Sequence, residues 1–290
     1  MVVLGTRYVG RMGVSSSLNF GNVKKVTRFF RGGKSKLNLK IDFNCDMGES
    51  FGMYKMGFDE EVIKHISSAN IACGFHAGDP MWMRKTVELA ESHGVGVGAH
   101  PSYPDLNGFG RRNMNATPEE VRNDVVYQAG ALKAFTAGRN LQHVKPHGAM
   151  YNQAVGDADL GKSICEAVLE VDSKIILLAL AGSAWIDVAK NIGMRVAREV
   201  FADRAVHSDG TLVSRSQEGS VIHDLNEVVD RSLQMVTEGK IVSVEGDIIE
   251  VQADSICLHG DTPGAVDMAQ TLKEQFVANG VEITPLSNIV

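Results

Sequence analysis

ANIACGFHAGDPMWMRKTVELAESHGVGVGAH, residues 69–100, begins and ends on a short apolar run and carries a polar, helix-like middle. ANIACGF and GVGVGAH have the length of buried strands, not of helices. Between them Asp79 stands where an N-cap belongs, Pro80 suits the first turn, and Gly94 ends the helix. Met81, Met83, Val87 and Leu89 read as core packing. A strand, a helix and a second strand make one unit of a parallel α/β sheet.

The same rhythm extends in both directions from this unit. Further strands are expected at residues 39–44, 141–147, 174–180, 195–201 and 253–259, making seven with the two above. Thr117 followed by Glu120 has capping-box spacing and starts another helix. The interval after Phe201 is too long for one helix. It holds NEVVDRSLQMVTEG and then KIVSVEGDIIEV, a hairpin expected to turn near Gly246 and Asp247. The expectation is one α/β domain over residues 37–290, a seven-stranded (β/α) barrel-like fold, preceded by a basic extension over residues 1–36.

Composition narrows the class. No apolar run approaches the roughly 18 residues that suggest a membrane span. Cys45, Cys73, Cys165 and Cys257 form no C-x-x-C pair, which argues against a structural zinc site and a disulfide framework and for a reducing compartment. Residues 1–40 hold nine Lys or Arg and no acid, leaving 20 basic against 35 acidic residues in the remainder, a formal −15. Such a body is a poor nucleic-acid partner. The basic head shares its composition with organelle transit peptides, so mitochondrial targeting stands as the alternative to a cytoplasmic location. Gly33-Lys34-Ser35 imitates the end of a phosphate-binding loop, but Arg28 occupies the required Gly position and no complete loop exists.

In a parallel βα barrel the reactive groups gather at the carboxyl ends of the strands. Here those ends carry Asp42, Asn44, Asp46 and Glu49; His76 and Asp79; His100 and Asp105; Lys145 and His147; Glu199, Asp203 and Arg204; His259 and Asp261. Six strands would therefore feed one polar mouth. His143, nearer its strand's start, reads as structural, Asp79 as a helix cap, and Asp203 as an ion-pair partner of Arg204.

The blocks DFNCDMGESFGMY, ANIACGFHAGDP, GVGAHPSYPDLNGFGRR, KPHGAMYN, EVFADRAVHSDGTLVSR and CLHGDTPGAV resemble the LamB/YcsF family, the A-type subunits of 5-oxoprolinase. The resemblance runs from about residue 39 to the C-terminus. It implies a barrel related to polysaccharide deacetylases and ATP-driven cleavage of the lactam 5-oxoproline to L-glutamate, together with two partner subunits of B and C type. On that reading Asp46, Glu49, His76, His100 and His147 surround the activated lactam carbon, one group serving as general base and another as acid. Lys145 stabilises developing negative charge. Arg111 or Arg112 binds the substrate carboxylate, with Asn44, Glu199, Arg204 and His259 completing the substrate side, and the glycines flanking the arginines suggest a mobile lid. ATP is expected on the partners. Two rivals remain: a metal-dependent amide hydrolase or deacetylase, because Asp, Glu and His at strand ends also suit a divalent ion, and a non-catalytic component that only binds the lactam. No nucleic acid or membrane partner is expected.

Overall fold

LKIDFNCDM alternates apolar and polar side chains, and that alternation organises the whole barrel. A computed structural model describes residues 39–260 and 264–290, so the basic extension and Asp261 lie outside the described residues. The chain runs β1 (Leu39–Met47), α1 (Asp59–Val62), β2 (Ser68–Ala72), α2 (Pro80–Ser92), β3 (Gly96–His100), α3 (Pro118–Phe135), β4 (His143–Val144), α4 (Gly148–Gly156), α5 (Ala158–Val171) and β5 (Ile176–Leu180). It continues through α6 (Ala184–Asn191), β6 (Val196–Phe201), α7 (Leu225–Glu238), β7 (Lys240–Val242), β8 (Ile248–Glu250), β9 (Ser255–Leu258), α8 (Ala265–Ala278) and β10 (Val281–Ile283). Among the described residues, β1 to β6 and β9 form seven parallel strands, and β9 pairs back with β1 to close the barrel.

The caps lie where the residue types require them. Asp79 accepts from the Met81 and Trp82 amides ahead of α2, and Thr117 with Glu120 forms a full capping box ahead of α3. β7 and β8 make the expected antiparallel hairpin. Three features differ from expectation. β4 spans two residues, because Pro146 has no N–H to continue the ladder, although the Lys145 and His147 amides still donate to the carbonyls of Ala99 and Pro101. β10, three residues long, pairs with the start of β1 and has too little pattern to be read in advance. Met81 is 78 % exposed, because the buried stripe of α2 runs through Met83, Thr86, Val87 and Ala90 and bypasses it.

On β1, Ile41, Phe43, Cys45 and Met47 belong to the main apolar core, with Phe43 edge-on to Phe276 of α8. Asp42, Asn44 and Asp46 point the other way and define three buried polar tiers. In the lowest, Asp42 accepts from the hydroxyls of Ser67, Ser68 and Ser255 at 2.7, 2.6 and 2.5 Å. In the middle tier, Asn44 Oδ1 accepts from Asn70 at 2.7 Å, while Asn44 Nδ2 donates to Ser255 Oγ and Glu199 Oε1. His143 belongs here, its Nε2 2.7 Å from Asn70 Oδ1. Gly98 on β3 makes room for it, since a Cβ there would overlap the His143 ring. Below, Leu286 packs with Ile176, Leu178 and Ala197 in a separate apolar cluster.

Burial opposes ionisation of Asp42 more strongly than its three hydroxyl donors favour it, and its pKa rises to about 6 from an ordinary 3.8. The folded chain therefore holds this proton more tightly than the unfolded chain, and the associated stability is lost as pH climbs from about 4 to 6. At about 1.4 kcal/mol per unit, the stability of Asp42→Asn relative to the parent should improve by about 3 kcal/mol between pH 4 and 7. Denaturant midpoints across that range check it; a constant difference would contradict the assignment.

Candidate active site

The top tier of the polar column opens at the carboxyl ends of the strands. Lys145 extends from the end of β4 into the barrel, 3.0 Å from Asp46 Oδ1 and 3.0 Å from Glu199 Oε1. Its Nζ also lies 3.0 Å from Cys257 Sγ. Burial works against the ammonium, but Asp46, Cys257 and Glu199 outweigh it and hold Lys145 well above its ordinary range. Burial likewise opposes the Asp46 carboxylate, yet His100 and Lys145 prevail and hold it well below the usual range. The result is a charged triad with little access to water. Asn44 and Glu199, expected on the substrate side, are fully buried beneath the mouth, where they position Lys145.

On one side of the triad, three imidazoles converge. His100 Nδ1 lies 2.6 Å from the Lys145 carbonyl, which can only accept, so this nitrogen carries the proton. The same reasoning fixes the His147 proton on Nε2, 2.8 Å from the Phe109 carbonyl. The other nitrogens, His100 Nε2 and His147 Nδ1, face each other at 3.0 Å. His76 stacks on His147 with centroids 3.8 Å apart, and its Nε2 is 3.4 Å from Glu49 Oε1. Burial, reinforced by nearby imidazoles, holds His76 and His147 well below their ordinary values, so both are neutral. The ligand-type atoms of Glu49, His76, His100 and His147 lie within 4.8 Å of one another. In a second such group, Asp46, Cys257 and His259, the first two already hold the Lys145 ammonium, which excludes a cation.

On the other side stands a pair that the sequence pattern alone does not assemble. His259, after β9, points Nδ1 at Asp203, 2.9 Å from Oδ2 and 3.0 Å from Oδ1, and turns Nε2 toward Asp46 Oδ2 at 3.9 Å. Burial raises the cost of the Asp203 charge, but His259 beside it more than compensates and keeps the carboxyl below its ordinary value. A buried carboxylate that fixes one imidazole nitrogen leaves the other free for proton transfer. The geometry thus suits His259 to carrying a proton, and pairs Asp203 with it, not with Arg204. The available signal was the position of both residues just past neighbouring strands β6 and β9.

These groups border a cavity of about 1020 Å³ lined by Asp46, Glu49, His100, Lys145, His147 and His259 and, toward the rim, by Arg111, Arg112, Arg204 and Arg215. Arg204 is committed to the loop after β6, donating to the carbonyls of Val213 and Ser220. Arg112 is held by Asp105. Arg111 packs its guanidinium 4.9 Å from the Phe109 ring centroid. The loop carrying both is tied down, not loose: Gly110 accepts from the Ala149 amide at the start of α4, and Phe109 accepts from His147. Gly110 has φ +63°, and a Cβ there would sit 2.8 Å from His147 Cδ2 and 2.9 Å from His76 Cβ. Gly110→Ala should therefore destabilise the protein by about 1–3 kcal/mol and displace both imidazoles. Chemical denaturation with imidazole NMR shifts would check this; wild-type values for both would contradict it.

Comparison with known proteins places this geometry among relatives. The LamB/YcsF family pattern matches residues 41–290. The A-type 5-oxoprolinase subunit of Pyrococcus furiosus is 51% identical over 254 residues, covering 87% of this chain and 100% of that protein. Its counterpart from Clostridium beijerinckii, of the same name, is 53% identical, covering 86% of this chain and 99% of its own length. The crystal structure of a lactam utilization protein from Thermus thermophilus superposes with a TM-score of 0.80 at 44% identity, covering 85% of this chain and 99% of that one.

Proposed function

The chain belongs to the LamB/YcsF family, and from that premise we propose that it is the component of a 5-oxoprolinase that opens the lactam ring of 5-oxoproline to give L-glutamate, within an assembly that hydrolyses ATP. The observation that carries this reading is the pairing, on one cavity, of a buried Lys145 ammonium with a carboxylate-oriented His259, under a rim rich in arginine. A carboxylate-bearing lactam offers complementary groups: an anion for the rim and an amide for the floor.

A five-membered lactam is an unstrained amide, and its carbon is a weak electrophile. Phosphorylation of its oxygen turns that carbon into a target for water. His259 Nε2 removes a proton as the water oxygen bonds to the carbon, and Lys145, backed by Asp46, stabilises the negative charge that develops. The C–N bond then breaks, His259 returns the proton to the ring nitrogen, and a second water hydrolyses the remaining acyl phosphate to glutamate and phosphate. The phosphoryl group comes from partner subunits of B and C type, because this chain has no complete phosphate-binding loop of the G-x-x-x-x-G-K-[ST] kind. Support for partners comes from the relatives' names, which describe each of them as one subunit of an enzyme.

The reading is tested by mixing this chain with such partners, 5-oxoproline and ATP. Glutamate and ADP should appear together only in the complete mixture; ATP-dependent ring opening by this chain alone would overturn the division of labour. In that assembly Arg111→Gln should raise KM for 5-oxoproline by roughly 10- to 100-fold with a smaller change in kcat, as expected for losing about 1.5–3 kcal/mol of a charge-assisted hydrogen bond. An unchanged KM would put the substrate carboxylate elsewhere.

A further inference from the structure

The inward-facing nitrogens of His100 and His147 pose a problem that the protein's own groups leave unsolved. Each ring has a proton fixed on the outer nitrogen by a backbone carbonyl, so the inner nitrogens meet at 3.0 Å as two lone pairs unless a further proton, which Asp46 Oδ2 at 3.4 Å from His100 Nε2 would favour, sits between them. Beside them His76 is completely buried, and neither of its ring nitrogens has a hydrogen-bond partner among the described residues. Buried polar atoms are satisfied in the great majority of native proteins, so an orphaned imidazole aimed into a cluster of other lone pairs points to something missing among them. A proton could serve one pair of nitrogens. It could not also serve His76, whose Nε2 faces Glu49 Oε1 at 3.4 Å.

We propose that Glu49, His76, His100 and His147 form a binding site for one divalent transition-metal ion of the zinc type. Four donors around a zinc ion, each about 2.0–2.2 Å from it, stand roughly 3.3–3.5 Å apart. The separation of 3.4 Å between His76 and Glu49 falls within that spacing and the 3.0 Å between the two histidines lies just below it, and all four donors fall within 4.8 Å of one another. The outer contacts also fit. Metal-bound histidines donate their second N–H to a carbonyl or carboxylate, which fixes the tautomer, and the Lys145 and Phe109 carbonyls do this for His100 and His147. Three imidazoles favour a transition metal over calcium or magnesium, which prefer oxygen. Glu49 and nearby Asp46 supply negative charge against the repulsion of Lys145 and Arg111. An ion here borders the cavity, where it would polarise a carbonyl oxygen or a bound water.

The site stands apart from the lactam assignment, because ion binding is measured with no substrate present. Full-length protein stripped with a chelator and titrated with Zn²⁺ against a competing chelator should take up one ion per chain and gain thermal stability. His76→Gln and Glu49→Gln should each weaken binding by more than the roughly 10- to 100-fold that loss of an outer partner costs. His207→Gln, outside the cluster at the surface, should bind as the parent does. Co²⁺ should give visible absorption that Zn²⁺ displaces and that His76→Gln lacks. Glu49→Gln keeps the test decisive if His76→Gln fails to fold. Substoichiometric uptake by the parent, or equal affinity in the parent and Glu49→Gln, would overturn the proposal.

Discussion

Lys145→Met should destabilise the protein by about 3–5 kcal/mol, because it removes the cation from a buried cluster and strands the charges it balanced. Methionine fills a similar volume, so the loss is electrostatic and not a cavity effect. Asp46 keeps the Asn70 amide as a donor and borders the cavity, whereas Glu199 keeps the Asn44 amide on Oε1, and its Oε2 has no hydrogen-bond partner among the described residues. Glu199 is therefore the group left most exposed to its own burial cost. Adding Glu199→Gln to Lys145→Met should recover part of the lost stability, a sign that a simple packing defect would not give. Denaturant unfolding of the parent, both single variants and the double variant checks this. An additive double variant would show that Lys145 and Glu199 do not share the burden described.

His259→Gln and Asp203→Asn should have the opposite profile, with stability largely retained and turnover reduced by about 100- to 10,000-fold. Glutamine at 259 keeps a hydrogen bond to Asp203 but cannot carry a proton. Asparagine at 203 can no longer stabilise a positively charged imidazole, and its amide offers a donor where the His259 N–H needs an acceptor. Because the two residues act as a pair, the double variant should be little slower than the slower single variant. The measurement is glutamate release by the complete assembly, with binding to the partner proteins followed in parallel. Near-normal rates in either single variant, with that binding intact, would remove His259 from proton transfer.

The positions of the seven barrel strands were legible, β1 from its alternation and others from short apolar runs such as those within residues 69–100. β10 was not, since three residues carry no period, and neither was the two-residue length of β4, where Pro146 cuts a ladder whose direction the chain still follows. The gathering of polar groups at strand ends was also readable: Asp46, Glu49, His100, Lys145, His147 and His259 share one cavity. Depth was not readable. Alternation tells which face of β1 holds Asp42, Asn44 and Asp46, but only the barrel's stagger shows that Asp42 and Asn44 lie below the mouth and Asp46 at it. Partner choice was hidden for the same reason. Asp203 next to Arg204 reads as a local ion pair, whereas the structure sends Arg204 to the carbonyls of its own loop and brings Asp203 to a histidine 56 residues away.

The most direct test of the account is a crystal structure of the assembled enzyme with 5-oxoproline bound. The lactam should lie in the cavity above Lys145, with its carbonyl oxygen within hydrogen-bonding distance of Nζ, its ring nitrogen toward His259 Nε2 and its carboxylate at the arginine rim. A lactam held elsewhere in the assembly, with this mouth empty, would contradict it.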